Sequence, residues 1–565
     1  MNKHENFKNS IILNLCVLVI LSIAFKAQFE MNDDTTISFL LNGAYFTRTP
    51  FVIYVNIVLA AILCFFSSVI PFINWFAAAQ LISVFCCLCV VAYVVLLRYK
   101  KWGSIFAAAI AFLLGSEFYL NMTYTKTASL IAGVGVLALV YAIQNKNKKW
   151  LSAALFLFVM GLLMRDKAAY FSMLYGLALG ACIVVFSDWY DIKNLKKWWR
   201  EKRLWFFSLG LLAIACIVFG CVQKIAYQKA MPQVLAYSTA RENAVDYTPA
   251  SYEGIYAEKY QAAGITPHDI TMIVNHCYND LSYFDTEFYK TVKGIKPARD
   301  IFGVFRDFTG LYGQYLLSEP IYIACLLVGA LLLLTGWRGT FYAVICFGVF
   351  HLQWIYQLYI QRLVHRVIGS NAAVLLCALI FCLCVLNEGK IKEHKAKKIE
   401  FFAFTFVFTV FALVNSVKMN QAQLRFVSKT EEPYHTEFLQ KAAEDKDTLY
   451  ITDGKLDEQN YYEKNSIYTN LPQKCLTNIA HFRGWNIILP QMRQTLNNYG
   501  IDSLYQDIVN DSVRIAGIDG ANSLDWLSVY MQEHYQTEIF LEQAGEVAGE
   551  PIYKVSKKAV SGESD

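Results

Sequence analysis

Long apolar runs separated by short polar segments constrain this chain more than any motif does. A helix needs about 20 apolar residues to cross the hydrocarbon core of a bilayer. Candidate runs fall near 11–29, 51–70, 73–97, 103–119, 127–143, 150–164, 168–186, 204–223, 320–336, 339–357, 367–386 and 399–417. At 56% hydrophobic and 17% charged residues, the chain is too apolar for an ordinary soluble protein and reads as a polytopic membrane protein. The first run has no small-residue cleavage site and is expected to remain as an anchor. Most of the fifteen cysteines lie inside apolar runs, where thiols behave as small hydrophobes. Only Cys277 and Cys475 fall in polar segments, a single candidate disulfide pair without a framework around it. The net charge of +5 gives no argument for a nucleic-acid partner.

Basic residues assign the loops to two sides. Segments 98–102, 146–149, 193–203, Arg338 and 390–398 together carry 18 Lys and Arg, while the alternate short loops carry Arg48, Lys126, Arg165, Lys167, Arg362 and Arg366. By the positive-inside rule the first set is cytoplasmic. With Lys3 and Lys8 also inside, one early run must not cross. The run 51–70 is the best suspect, since it starts after Thr49-Pro50 and ends at Pro71. Eleven crossing helices are then expected, with the C-terminus outside. The alternative, an N-terminus outside, would move residues 33 and 34 to the cytoplasm.

Four regions follow: a membrane module over 1–223, an extracytoplasmic insertion over 224–318, further membrane helices over 319–417 and a soluble α/β domain over 418–565. Within the first, Ile37, Leu40, Leu41, Ala44 and Tyr45 repeat as one face of an amphipathic helix, predicted to lie along the membrane surface with Ser38 and Asn42 turned away. In the insertion, Thr266-Pro267-His268-Asp269 has the form of a capped helix start. In the tail, strands are predicted at 448–451, 514–518 and 552–555, with a helix at 523–532.

Asp33 and Asp34 stand out because they end the first run. They can cap the next helix, or serve at a membrane mouth where aqueous and lipid-borne substrates meet. Gln353, Gln357, Gln361 and His365 recur every four residues and form a polar stripe, which suits either interhelical hydrogen bonding or a substrate groove. Arg362 and Arg366 at its end suit a lipid phosphate or interfacial anchoring. Arg165-Asp166-Lys167 is a charged turn or a phosphate site. Glu117 and Lys126 are expected to pair. Arg241, Glu242, Asp246, His268, Asp269 and His276 match no metal-ligand spacing. Asn121-Met122-Thr123 has the form of a glycosylation acceptor close to the membrane.

The order of N-terminal helix, acidic pair, amphipathic helix, Thr-Pro-started interfacial helix and crossing helix ending in Arg98-Tyr99-Lys100-Lys101 resembles the GT-C class of membrane glycosyltransferases. The likeness is to the family-39 and mannosyltransferase-like branch, and covers about the first third of the chain. The resemblance implies that Asp33 and Asp34 include the catalytic base and that the donor is a sugar on a polyprenyl phosphate. It also implies donor-phosphate contacts from Arg165, Lys167, Arg362 and Arg366; the polar stripe, through Gln357, Gln361 and His365, is the candidate substrate groove read from spacing. The second aspartate would orient the base, bind an acceptor hydroxyl or hold a divalent metal. Two departures stand against it: Thr47-Arg48-Thr49-Pro50 replaces the usual His-Pro-Pro, and the 224–318 insertion is unusually long.

The expected activity is inverting sugar transfer to a glycan, lipid or protein acceptor, in a bacterial cell membrane, with the catalytic face and C-terminal domain extracytoplasmic. The alternatives are a flippase of a lipid-linked glycan and a non-catalytic envelope assembly protein. A transporter usually carries ionisable or broken helices near the midplane, whereas the ionisable groups here collect at helix ends.

Overall fold

The computed structural model describes residues 3–30, 32–187, 195–296, 300–386, 395–425, 437–452, 462, 465–516 and 525–557. Parts of the basic segments 193–203 and 390–398, of the strand at 514–518 and of the helix at 523–532 lie outside them. The membrane-type helices are α1 (Lys3–Ala24), α4 (Trp75–Phe118), α5 (Tyr124–Gln144), α6 (Lys148–Met164), α7 (Asp166–Ser187), α8 (Leu195–Ala230), α14 (Pro320–Leu333), α15 (Trp337–Tyr359), α16 (His365–Phe381) and α17 (Lys395–Met419). Shorter helices are α2 (Asn32–Asn42), α3 (Ile57–Val69), α9 (Pro232–Val245), α10 (Gly254–Ala262), α11 (Pro267–Val274), α12 (Thr286–Ile295) and α13 (Ile301–Leu311).

Among the described residues eight helical segments are long and apolar enough to cross a membrane, or nine if the bent pair Ile301–Leu316 and Pro320–Leu333 counts as one. This is compatible with a multi-pass membrane protein. The shortfall from eleven arises at three expected places, where the helices Trp102–Phe118, Lys148–Met164 and Pro320–Leu333 are shorter than a full span.

Helix α4 is hydrogen-bonded over 44 residues; kept straight it would separate its ends by about 66 Å. Yet Gln80 near its start and Tyr124 just past its end donate to the same Asp34 carboxylate. It therefore doubles back between Tyr99 and Trp102, giving two apolar legs, Trp75–Tyr99 and Trp102–Phe118. The turn packs on the start of α17, where Tyr99 stacks on Phe401 and Trp102 meets Phe402. Phe7 meets Tyr93 and Trp150 stacks on Tyr93, so the N-terminus shares this end with the 98–102 and 146–149 turns. The opposite end gathers the remaining connections. There α3 begins, its Asn56 N–H donating to Leu163, and there it also ends, with Asn470 binding the Pro71 and Ile73 carbonyls. Residues 51–70 thus start and finish on one side, as loop parity requires.

The bundle closes around α5 and α16, which are buried along nearly their whole length. Small residues let α5 and α6 approach closely: a Cβ on Gly161 would lie 2.8 Å from the Ala128 carbonyl oxygen and one on Gly135 2.7 Å from the Phe158 amide nitrogen. Without a hydrophobic drive between helices in lipid, such backbone proximity supplies the packing energy.

Over one end of the bundle sits a roof built from the insertion and the tail. The tail carries α18 (Phe438–Glu444), α19 (Pro490–Asn498) and α20 (Asp525–Tyr535), with β3 (Leu449–Thr452), β4 (Ile479–His481), β5 (Val513–Ala516), β6 (Ile539–Val547) and β7 (Glu550–Lys557). The sheet order is β4-β3-β5-β7-β6. β4, β3 and β5 run parallel, β7 runs antiparallel to β5, and β6 pairs antiparallel with β7 and so points the same way as the first three. The α/β expectation for the tail agrees with this sheet. The insertion and tail do not form separate cores, however. Tyr260, Ile273, Phe284 and Tyr289 of the insertion share one core with Ile451, Ile515, Leu527 and Tyr530 of the tail. Tyr530 and Tyr535 also donate to Asp280.

Further expectations are corrected here. Helix α2 does not present a polar face to the surface: Ser38 and Asn42 are buried, because Asn74 donates to Ser38, Asn42 donates to the Leu471 carbonyl, and Lys474 and Leu476 bind the Gly43 and Ala44 carbonyls. The polar face is covered by the tail, and Ala44 and Tyr45 lie beyond the helix end. Cys277 and Cys475 are both free thiols; Cys277 instead accepts from the Arg483 guanidinium. The Asn121 amide binds Asn420, Gln423 and Gln28 and Thr123 is buried, which leaves no room for a glycan on the folded chain.

Candidate active site

A two-residue parallel pair positions the acidic dipeptide. β1 (Gln28–Phe29) aligns with β2 (Asn121–Met122), and the Glu30 N–H extends the ladder to the Met122 carbonyl. The end of α1 is thereby laid beside the end of α4, and α2 starts next to Tyr124. Lys126 pairs with Glu117, as expected, and also with Glu30.

Both aspartates lie in the first turn of α2, where a carboxylate suits the helix dipole, but the hydrogen bonds they accept come from other elements. Asp34 is fully buried. Its Oδ1 accepts from Gln80 Nε2 at 3.1 Å and from the Tyr124 N–H at 2.9 Å, while Oδ2 is buried without a partner. Burial, the largest influence, pushes its pKa up to about 7 against the opposing hydrogen bonds. Asp33 is half-buried and accepts from Trp485 Nε1 of the tail at 3.0 Å.

Aromatic rings and guanidinium groups surround this pair. Tyr54 packs edge-on to Trp485 with ring centres 5.2 Å apart. The Arg165 guanidinium lies 5.3 Å from the Tyr54 ring centre and 4.9 Å from that of Tyr124, whose hydroxyl it also binds. Such cation–π contacts favour a cation without cancelling its charge. Arg241 donates to Tyr54 Oη at 2.8 Å. The Tyr124 phenol is within electrostatic reach of Asp33, Asp34, Arg165 and Arg366.

Two of the other predicted phosphate ligands, Lys167 and Arg362, are matched by acids at the C-terminal end of α9. Lys167 binds Glu242, and Arg362 binds Glu242 at 3.2 Å and Asp246 at 3.0 Å. Lys167 and Arg362 lower the Glu242 pKa despite the larger opposing effect of burial. The polar stripe does not run as one helix. Gln353 and Gln357 are buried on α15, but Gln361 has φ +59° in the following turn and His365 opens α16, its ring 6.3 Å from Tyr315. The groove of Gln357, Gln361 and His365 is therefore not a single helix face.

Among the described residues no third His, Cys, Asp or Glu joins Asp33 and Asp34 at ligand distance, and the group that meets that spacing is Asp269, Glu533 and His534. There, both Asp269 oxygens are already engaged, by His534, by Tyr283 and by the Thr266 N–H of the capping box.

Tyr54, Tyr124, Gln80 and Trp485 were not singled out in the sequence. None carries a local signal: an aromatic residue in an apolar run reads as core, and Trp485 arrives from about 450 residues away through the tail fold. The chain matches no protein-family model and no curated protein.

Proposed function

We propose that the protein is a membrane glycosyltransferase that moves a sugar from a polyprenyl-phosphate donor to a cell-envelope acceptor, at the extracytoplasmic face of a bacterial membrane. The observation that supports this reading best is the juxtaposition around Tyr124: a half-buried carboxylate, Asp33, lies within electrostatic reach of the phenol to which the Arg165 guanidinium donates, and that guanidinium rests on the rings of Tyr54 and Tyr124. In the proposed reaction Asp33 takes the proton of the acceptor hydroxyl as its oxygen attacks the anomeric carbon. The bond from that carbon to the phosphate oxygen breaks, the electron pair leaves with the polyprenyl phosphate, and Arg165 and Arg366 stabilise the charge. Asp34 holds the Tyr124 backbone and thus the ring on which Arg165 rests. Trp485 and Tyr54 offer apolar ring faces to sugar C–H groups. The match of Lys167 and Arg362 to Glu242 and Asp246 shifts the phosphate role away from those two.

The test uses purified protein in nanodiscs with a panel of radiolabelled polyprenyl-phosphate hexoses and envelope extract as acceptor. Label should leave the lipid fraction for a polar or macromolecular product. No transfer from any donor, with normal folding, would count against the reading. The closed ion network of Lys167, Glu242, Arg362 and Asp246 favours a second reading, a non-catalytic assembly protein, because it needs no ligand to be satisfied.

A further inference from the structure

We propose that helix α13 lies in the plane of the membrane interface on the roof side, with Ile301, Phe302 and Phe305 among lipid chains. This does not depend on glycosyl transfer. The segment falls inside the stretch whose sequence reads as a polar insertion, yet its apolar residues cover about half of the helix circumference. Val304, Phe308 and Leu311 make one part of that arc and Ile301, Phe302 and Phe305, with the exposed Thr309 among them, the other, while Gly303, Arg306, Asp307 and Gly310 fill the remaining half.

The first part is already used by the fold. Val304 is buried and Phe308 packs on Trp354 of α15 at 4.8 Å between ring centres. The second part is bare: Ile301 is 59%, Phe302 79% and Phe305 53% exposed. Docking against α15 accounts for half of the arc, so the remainder needs an apolar surface of its own.

Direction identifies that surface. The segment 301–316 meets α14 at 98°, and α14 packs within the bundle between α16 and α15. A helix at a right angle to a bundle helix runs parallel to the membrane plane, as interfacial amphipathic helices do. Leu317, in the turn that follows, is also exposed. Arg306, with 85% of its side chain exposed, flanks Phe302 at the edge of the bare face, where its long stem lets the guanidinium reach water.

The experiment places the photoreactive residue p-benzoylphenylalanine at position 302 or 305 of the full chain, in nanodiscs containing tritiated phospholipid. Leu334, 71% exposed at the end of α14, serves as the lipid-facing control. Lys290, on the exposed polar side of α12, serves as the water-facing control. Replacing an exposed Phe by its benzoyl derivative keeps the fold, which co-elution with wild type verifies. Lipid label at 302 and 305 should approach that at 334 and exceed that at 290 by about tenfold or more. Label at 302 and 305 no higher than at 290, or adducts to protein instead of lipid, while 334 labels normally, would overturn the proposal.

Discussion

Two adjacent aspartates acquire different properties because one side chain turns into the protein and the other toward the roof. Asp34 is enclosed by Gln80 and the Tyr124 amide, and burial is the main cause of its rise from 3.8 to about 7. Since the folded protein holds this proton more tightly than the unfolded chain, the carboxyl's contribution to stability is complete below about pH 4. It declines as pH rises toward and through 7, by a total on the order of 4 kcal/mol. Asp34→Asn should therefore remain folded, with an amide oxygen still accepting both bonds, and its thermal midpoint should change less between pH 5 and 8 than that of wild type. Thermal unfolding in detergent across that range checks this; an unchanged pH profile in the variant would contradict it. The chemical difference between neighbours was not legible from Asp33-Asp34 alone. It depends on Trp485 and Tyr124, which reach the pair only after the chain has folded.

At the level of helices, close approach and charge matching give separable expectations. Gly161 faces Ala128 and Ala132 at a distance that a Cβ cannot share, so Gly161→Val should cost about 1–3 kcal/mol through overpacking between α5 and α6. Lower yield of folded protein and a reduced thermal midpoint would register it. In the ion network, Arg362 is 18% exposed and holds two acids, whereas Lys167 is 55% exposed and holds one. Arg362→Ala should cost about 2 kcal/mol or more and Lys167→Ala under about 1, the former leaving Glu242 and Asp246 less compensated. Urea or thermal titration of the two variants measures that difference. The helices themselves were readable from runs of apolar residues, and loop parity gave reason to expect the run 51–70 to return to the side it starts from. The polar stripe was misread because nothing at 360–364 is a Pro or Gly, so the periodicity appears to continue where the backbone in fact turns. Ile37, Leu40 and Leu41 of α2 are buried as the periodicity reads, but periodicity overran the helix end at Asn42 and cannot tell whether the opposite face meets water or a domain encoded 429 residues later.

Across the whole molecule, insertion and tail form one roof with a common core, and that roof supplies Trp485 and Arg241 to a site whose aspartates and Arg165 belong to the membrane module. Truncation after Arg425 should thus expose residues 232–295 to protease while α4 to α7 stay protected in detergent, because the insertion loses the partners of Asp280 and Phe284. Limited proteolysis with peptide mapping checks it, and an insertion that stays protected would show that it folds alone. The two-domain reading from sequence followed the interruption by membrane helices 320–417, which hides a core joined only in space. The account's central claim is that this composite site performs transfer with Asp33 as the base. Its most direct measurement is the rate of sugar movement from a polyprenyl-phosphate donor by wild type and by Asp33→Asn in nanodiscs, with folding verified by thermal unfolding. The account predicts a loss of about 100-fold or more in the folded variant; wild-type turnover by Asp33→Asn would contradict it.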